Sequence, residues 1–85
     1  MKGEAMRKII DVPQTSRHLK HLCDERVLKA TAIMKALDLT SVQAIYRWYS
    51  PACSSLPSLD HMVLLSRLLG CTIEELLVLK EEQKD

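Results

Sequence analysis

The chain has 85 residues, 12 Lys and Arg against 11 Asp and Glu, and an apolar fraction of 47% that includes one Trp, two Tyr and no Phe. That length makes one domain near the lower limit for a self-sufficient core, and the core must be aliphatic. No apolar run approaches the roughly 20 residues that span a bilayer, and MKGEAMRKIIDV lacks both a long apolar stretch and a small-residue cleavage site, so neither a membrane span nor a secretory signal is expected.

Two Gly and three Pro leave few places for hairpin turns, which favours helices over strands. Residues 1–14 show no clear period, and Pro13 ends whatever precedes it. They are expected to form an N-terminal arm, either flexible or a short edge strand built on Ile9, Ile10 and Val12. Thr15 or Ser16 is suited to cap a first helix reaching about Arg26, with Leu19 and Leu22 facing inward. Lys29 to Leu37 reads as a short second helix with Ile33 and Leu37, four apart, as its buried stripe. Asp38 follows where a left-handed residue is needed, a conformation Asp tolerates better than most. Thr40 or Ser41 then caps a third helix to about Tyr49, whose inward residues are Ile45 and Trp48.

Residues 49–57 form a loop, because Pro51 and Pro57 interrupt helical bonding and Ser54-Ser55 favours turns. Ser58 caps a fourth helix in which Leu59, Met62, Leu65 and Leu69 repeat at three- and four-residue spacing. Gly70 supplies its stop. Thr72-Ile73-Glu74-Glu75 is a capping box that opens a fifth helix with Ile73, Leu76 and Leu77 on its core face. Residues 81–85 read as a solvated tail. Trp48 is the expected packing centre, locking the third helix to the fourth through Leu59 and Met62.

Cys23, Cys53 and Cys71 form no C-x-x-C pair, and an odd count without a signal peptide reads as reduced thiols in a cytoplasm. His18 and His21 share a helix face, but Cys23 points elsewhere and no second cluster closes a tetrahedral site, so no metal is expected. No Gly-rich phosphate loop is present, and nothing orients the one drawable nucleophile–base pair, Cys53 with His61. Neither catalysis nor a cofactor is expected. Charge is uneven: residues 1–48 carry nine Lys and Arg against five Asp and Glu, while 49–85 carry three against six. Local positive charge of this kind suits a polyanionic partner.

Three blocks then carry a resemblance: Gln43-Ala44-Ile45-Tyr46-Arg47-Trp48, Leu56-Pro57-Ser58-Leu59-Asp60 and Leu64-Leu65-Ser66-Arg67-Leu68-Leu69-Gly70. In order and nearly in spacing, the segment from Thr15 to about Lys80 resembles the Cro and phage-repressor (XRE-like) helix-turn-helix domains. The resemblance implies an all-α, compact five-helix domain of the lambda-repressor-like type over 15–80. It also implies a sequence-specific DNA-binding transcriptional regulator, with a recognition helix at about 41–49 entering the major groove of double-stranded DNA. The DNA-binding residues it implies are Lys29, Thr40, Ser41, Gln43, Tyr46 and Arg47. Gln can pair with adenine, and Arg with guanine or phosphate. Tyr46 is suited to a sugar or a thymine methyl, and Lys29 to a phosphate. The chain departs from the family pattern at Val27, where glycine is typical, and in the loop 49–55, which is longer and lacks the usual glycine and basic residue.

Leu64, Leu68, Val78 and Leu79 fall off the core stripes and are expected to be exposed on the fourth and fifth helices as a dimer or partner surface. They suit a homodimer on paired half-sites. The alternative they support is a protein-interaction module, adaptor or antitoxin-like, that keeps the fold with weak or no DNA binding. A cytoplasmic, nucleoid-associated location accompanies the DNA-binding reading.

Overall fold

A computed structural model describes residues 6–83. The element order is β1 (Met6–Ile10), α1 (Val12–Glu25), α2 (Ala30–Ala36), α3 (Gln43–Tyr49), a 3-10 turn (Pro51–Cys53), α4 (Leu59–Leu69), α5 (Ile73–Leu76) and β2 (Leu79–Gln83). The five-helix body is all-α as expected, with a small antiparallel sheet of β1 and β2 added, Ile10 opposite Leu79 and Arg7 opposite Glu82. Residues 1–5 of the expected arm and 84–85 of the expected tail lie outside the described residues.

The first helix begins earlier than Thr15 or Ser16. Asp11 is its N-cap, with Asp11 Oδ1 accepting from the Gln14 N–H at 3.1 Å. Pro13 lies in the first turn, where its missing N–H costs nothing and its fixed φ suits the helix. Thr15 is instead fully buried and clasps the far end of the chain. Its Oγ1 accepts from the Val78 N–H at 3.0 Å and lies 3.3 Å from the Val78 carbonyl, to which it donates. The Asp11 N–H donates to the same carbonyl at 2.8 Å.

Helices α1, α2 and α4 stop in one way. A left-handed residue closes each of them, Val27 at φ +52°, Asp38 at +57° and Gly70 at +72°. The next N–H returns to the carbonyl five residues back: Leu28 to Cys23 at 2.8 Å, Leu39 to Met34 at 2.9 Å and Cys71 to Ser66 at 2.9 Å. These are Schellman closures, and only one of the three uses glycine. Arg26 joins two of these ends. Its Nε donates to the Leu69 carbonyl at 2.9 Å, placing a cation at the C-terminus of α4.

The core comprises Leu19, Cys23, Ile33, Leu37, Ile45, Trp48, Met62, Leu65, Leu69 and Leu76. Leu59 is not part of it, being 80% exposed. It is the first helical residue of α4, with no earlier turn to pack beside it. Trp48 meets His61 instead, ring centroids 5.7 Å apart and planes tilted by 46°. The capping box forms, Thr72 Oγ1 accepting from the Glu75 N–H at 3.1 Å and Glu75 Oε1 from the Thr72 N–H at 2.8 Å. Those bonds hold the Glu75 carboxyl below its ordinary value. Yet α5 ends at Leu76, so Val78 and Leu79 are not on a fifth helix and Glu81–Glu82 are not tail. Val78 is half-buried in the clasp, and Leu79 to Gln83 pair with β1.

Val27 is a β-branched residue held at positive φ with its side chain 80% exposed, so nothing is gained from packing in return for the strain. Val27→Gly should stabilise the fold by about 1 kcal/mol. A urea titration checks this; a midpoint that falls at constant slope would contradict it.

Candidate nucleic-acid interface

The short helices α2 and α3 meet through the turn at Leu37–Asp38, where the Asp38 closure redirects the chain. Ile33 and Leu37 are buried on one side of that turn, and Ile45 and Trp48 on the other. Ile45 and Trp48 stand three apart, so they occupy one stripe of α3 and leave the opposite stripe outside. Gln43, Tyr46 and Arg47 lie on that outer side and are exposed, Tyr46 by 56%. Gln43 is the first residue of the helix, and Arg47 sits in its last turn.

Thr40 and Ser41 are exposed just ahead of α3, but neither caps it. The cap position is Val42, already in right-handed helical geometry, and the helix start receives no side-chain bond. The extended cap geometry that a Ser or Thr hydroxyl requires is therefore missing. Both hydroxyls remain available to other partners.

Lys29 is the cap residue of α2, exposed and without a side-chain cap bond. Far from α3 in sequence, it shares with Tyr46 the wall of an open groove of about 540 Å³, lined also by Asp24, Val27, Thr31 and Tyr49. The structure thus gathers Lys29 and Tyr46 at one groove, with Thr40, Ser41, Gln43 and Arg47 on and before the helix that forms one side of it. Thr31, exposed in the first turn of α2 and facing the same groove, is an addition that the helical spacing of α2 alone did not single out. Tyr49 and Cys23 both line this groove. Burial pushes the Tyr49 phenol and the Cys23 thiol above their ordinary values.

Of the expected partner surface, Leu64 and Leu68 are 41% and 39% exposed on α4, while Leu79 is 45% exposed on β2. Val78 contributes backbone to the clasp and belongs to no open face of a helix. The histidines of α1 are otherwise engaged. His18 Nε2–H donates to the Glu75 carbonyl at 2.8 Å, and His21 Nε2 lies 3.3 Å from Glu25 Oε2. Among the described residues, no helix is long and apolar enough to cross a membrane.

A family model of the Cro/C1-type helix-turn-helix (HTH) DNA-binding domain matches residues 18–82. The chain belongs to this family. Neither the curated proteins nor the solved structures searched gave a match. The matched span runs from inside α1 to Glu82 of β2, so the Cro/C1-type region includes every element from α2 to α5 and leaves β1 outside it. Within that span, α3 has one stripe in the core and a polar stripe in solvent.

Two outcomes are expected. Trp48, only 6% exposed, should fluoresce blue-shifted in the folded state and shift red in denaturant, and Trp48→Ala should cost about 3–5 kcal/mol. Solvent-like native emission would contradict the packing. The second outcome concerns alkaline pH. With pKa values raised on folding, Cys23 and Tyr49 contribute stability that is fully present below their ordinary values of 9.0 and 10.0. It is lost as pH rises above them, because the unfolded chain releases those protons first. Urea midpoints taken upward from pH 8 should fall more steeply for the parent than for Tyr49→Phe.

Proposed function

We propose that this protein is a sequence-specific transcriptional regulator that lays α3 in the major groove of double-stranded DNA and acts as a homodimer on paired half-sites. The observation that carries the reading is the division of α3, with Ile45 and Trp48 in the core and Gln43, Tyr46 and Arg47 in solvent, within a Cro/C1-type domain. Gln43 opens the helix and is assigned to a base edge, since the leading residues of such a helix reach deepest into the groove. Arg47, one turn later and beside the Ser50–Pro51 loop, is assigned to phosphate. Lys29 is a second phosphate contact, and Tyr46 packs on a sugar or a thymine methyl. Thr40 and Ser41, with no cap to make, are hydrogen-bonding partners for the backbone approaching the start of α3.

A second reading has one observation in its favour. Leu59, Val63, Leu64 and Leu68 leave apolar surface open along α4, which suits a protein-interaction module with little DNA affinity.

Selection of bound duplexes from a random pool separates the two. An enriched motif supports the regulator; no enrichment even at low salt moves the weight to the interaction module. The variants then divide the labour on α3. Gln43→Ala should relax preference at one or two positions, a loss of about 1–3 kcal/mol of discrimination, with nonspecific affinity nearly intact. Arg47→Ala should weaken all sequences alike and lower the salt-dependence slope by about one. Folded variants that bind specific and random DNA as the parent does would remove α3 from its role.

A further inference from the structure

We propose that the groove between the end of α1, the start of α2 and the outer face of α3 is a binding site for a small aromatic carboxylate, whose presence there denies Lys29 and Tyr46 to DNA. The exclusion of DNA rests on the DNA-binding reading above; the site itself does not.

The groove holds about 540 Å³, within the range of sites that take small molecules. Three side chains with little cover from the rest of the chain converge on it. Val27 is 80% exposed, Tyr46 is 56% exposed, and Lys29 is exposed as well. Val27 also sits at φ +52°, a strained conformation for a β-branched residue, and strain of this kind clusters at ligand clamps. A glycine would make the same Schellman closure without strain, but would take an apolar wall away from the groove. Leu28 and Ala30 extend that wall, and Tyr46 and Tyr49, three residues apart on one face of α3, line the groove with them. A flat ring seated among these side chains covers aliphatic surface and meets tyrosine rings in stacked or edge-on geometry.

Charge selects the sign of the ligand. Lys20, Asp24 and Lys29 all line the groove. Asp24 is taken by Lys20, whose Nζ lies 2.7 Å from Asp24 Oδ2. Among the described residues, Lys29 makes no ion pair. The groove is left with one uncompensated positive charge, and Thr31, Tyr46 and Tyr49 add hydroxyls that can donate to an anion. A carboxylate answers that charge with a charge-assisted hydrogen bond. An organic cation, otherwise suited to tyrosine faces, meets two lysines instead. Lys29 is the group assigned above to a DNA phosphate. A bound carboxylate neutralises it, and a ring seated against Tyr46 covers the side chain assigned to a sugar or a thymine methyl.

NMR titration of the full chain without DNA tests the site. The probes are benzoate and naphthoate, with naphthylmethanol and naphthylmethylammonium as neutral and cationic counterparts. Naphthoate should give saturable shifts centred on Val27, Lys29, Thr31 and Tyr46. Its dissociation constant should be on the order of 1 mM or tighter, as befits a ligand of so few atoms. The alcohol should bind about tenfold more weakly, and the cation more weakly still. Lys29→Gln should remove the advantage of the carboxylate over the alcohol. Val27→Gly separates the site from the fold: its urea midpoint should rise while its affinity for naphthoate falls about fivefold, through the lost apolar wall. In competition, naphthoate should lower the affinity of the parent for duplex DNA, and the alcohol should do so less. No saturable shift with either carboxylate, shifts centred elsewhere, or variants that bind naphthoate as the parent does would overturn the site. Saturable binding with DNA affinity unchanged would overturn the exclusion of DNA. If the protein binds no DNA at all, the proposed function fails, while the titration without DNA still decides the site.

Discussion

A helix of seven residues does not hold itself together in water, so everything α3 presents to solvent depends on the burial of Ile45 and Trp48 beneath it. Nucleating a helix costs more than its first hydrogen bonds return, and α3 has no side-chain cap to offset that cost. Its stability is therefore tertiary. Ile45 is fully buried among the aliphatic residues of α1, α2 and α4, and Trp48 is covered by the ring of His61. Once those two side chains are fixed, the orientations of Gln43, Tyr46 and Arg47 follow from helical geometry. The polar face is a consequence of the core.

The core itself is assembled by closures at the helix ends. Val27, Asp38 and Gly70 turn the chain with the same left-handed step, so each of α1, α2 and α4 stops where its successor must begin. Arg26 ties the C-terminus of α4 to that of α1, and Thr15 with Asp11 ties the start of α1 to Val78. These contacts bring β1 and β2 together although their sequences are more than 60 residues apart.

Features set by near neighbours in the chain were legible without a structure. The three- and four-residue spacing of Met62, Leu65 and Leu69, the Ser58 cap, the Gly70 stop and the Thr72–Glu75 box all depend on residues within one or two turns. So did the core stripe of α3, and with it the exposed face carrying Gln43 and Arg47. What remained hidden depends on distant partners. Thr15 reads as a cap by composition, but its hydroxyl serves Val78. Leu59 continues an apolar stripe yet precedes the packed turns of α4. The strand at Leu79–Gln83 has a charged, weakly β-favouring sequence and becomes a strand only by pairing with β1. In the candidate site, likewise, the meeting of Lys29 with Tyr46 at one groove is a tertiary fact that no spacing encodes.

The most direct test of the account is to follow backbone and side-chain resonances of the protein by NMR as duplex DNA is added. If α3 is the surface that meets DNA and Trp48 is its anchor, the largest changes fall on Gln43, Tyr46, Arg47 and Lys29, while the indole of Trp48 keeps its native environment. Changes confined to Leu64 and Leu68 on α4, with the amides of α3 unmoved, would contradict it.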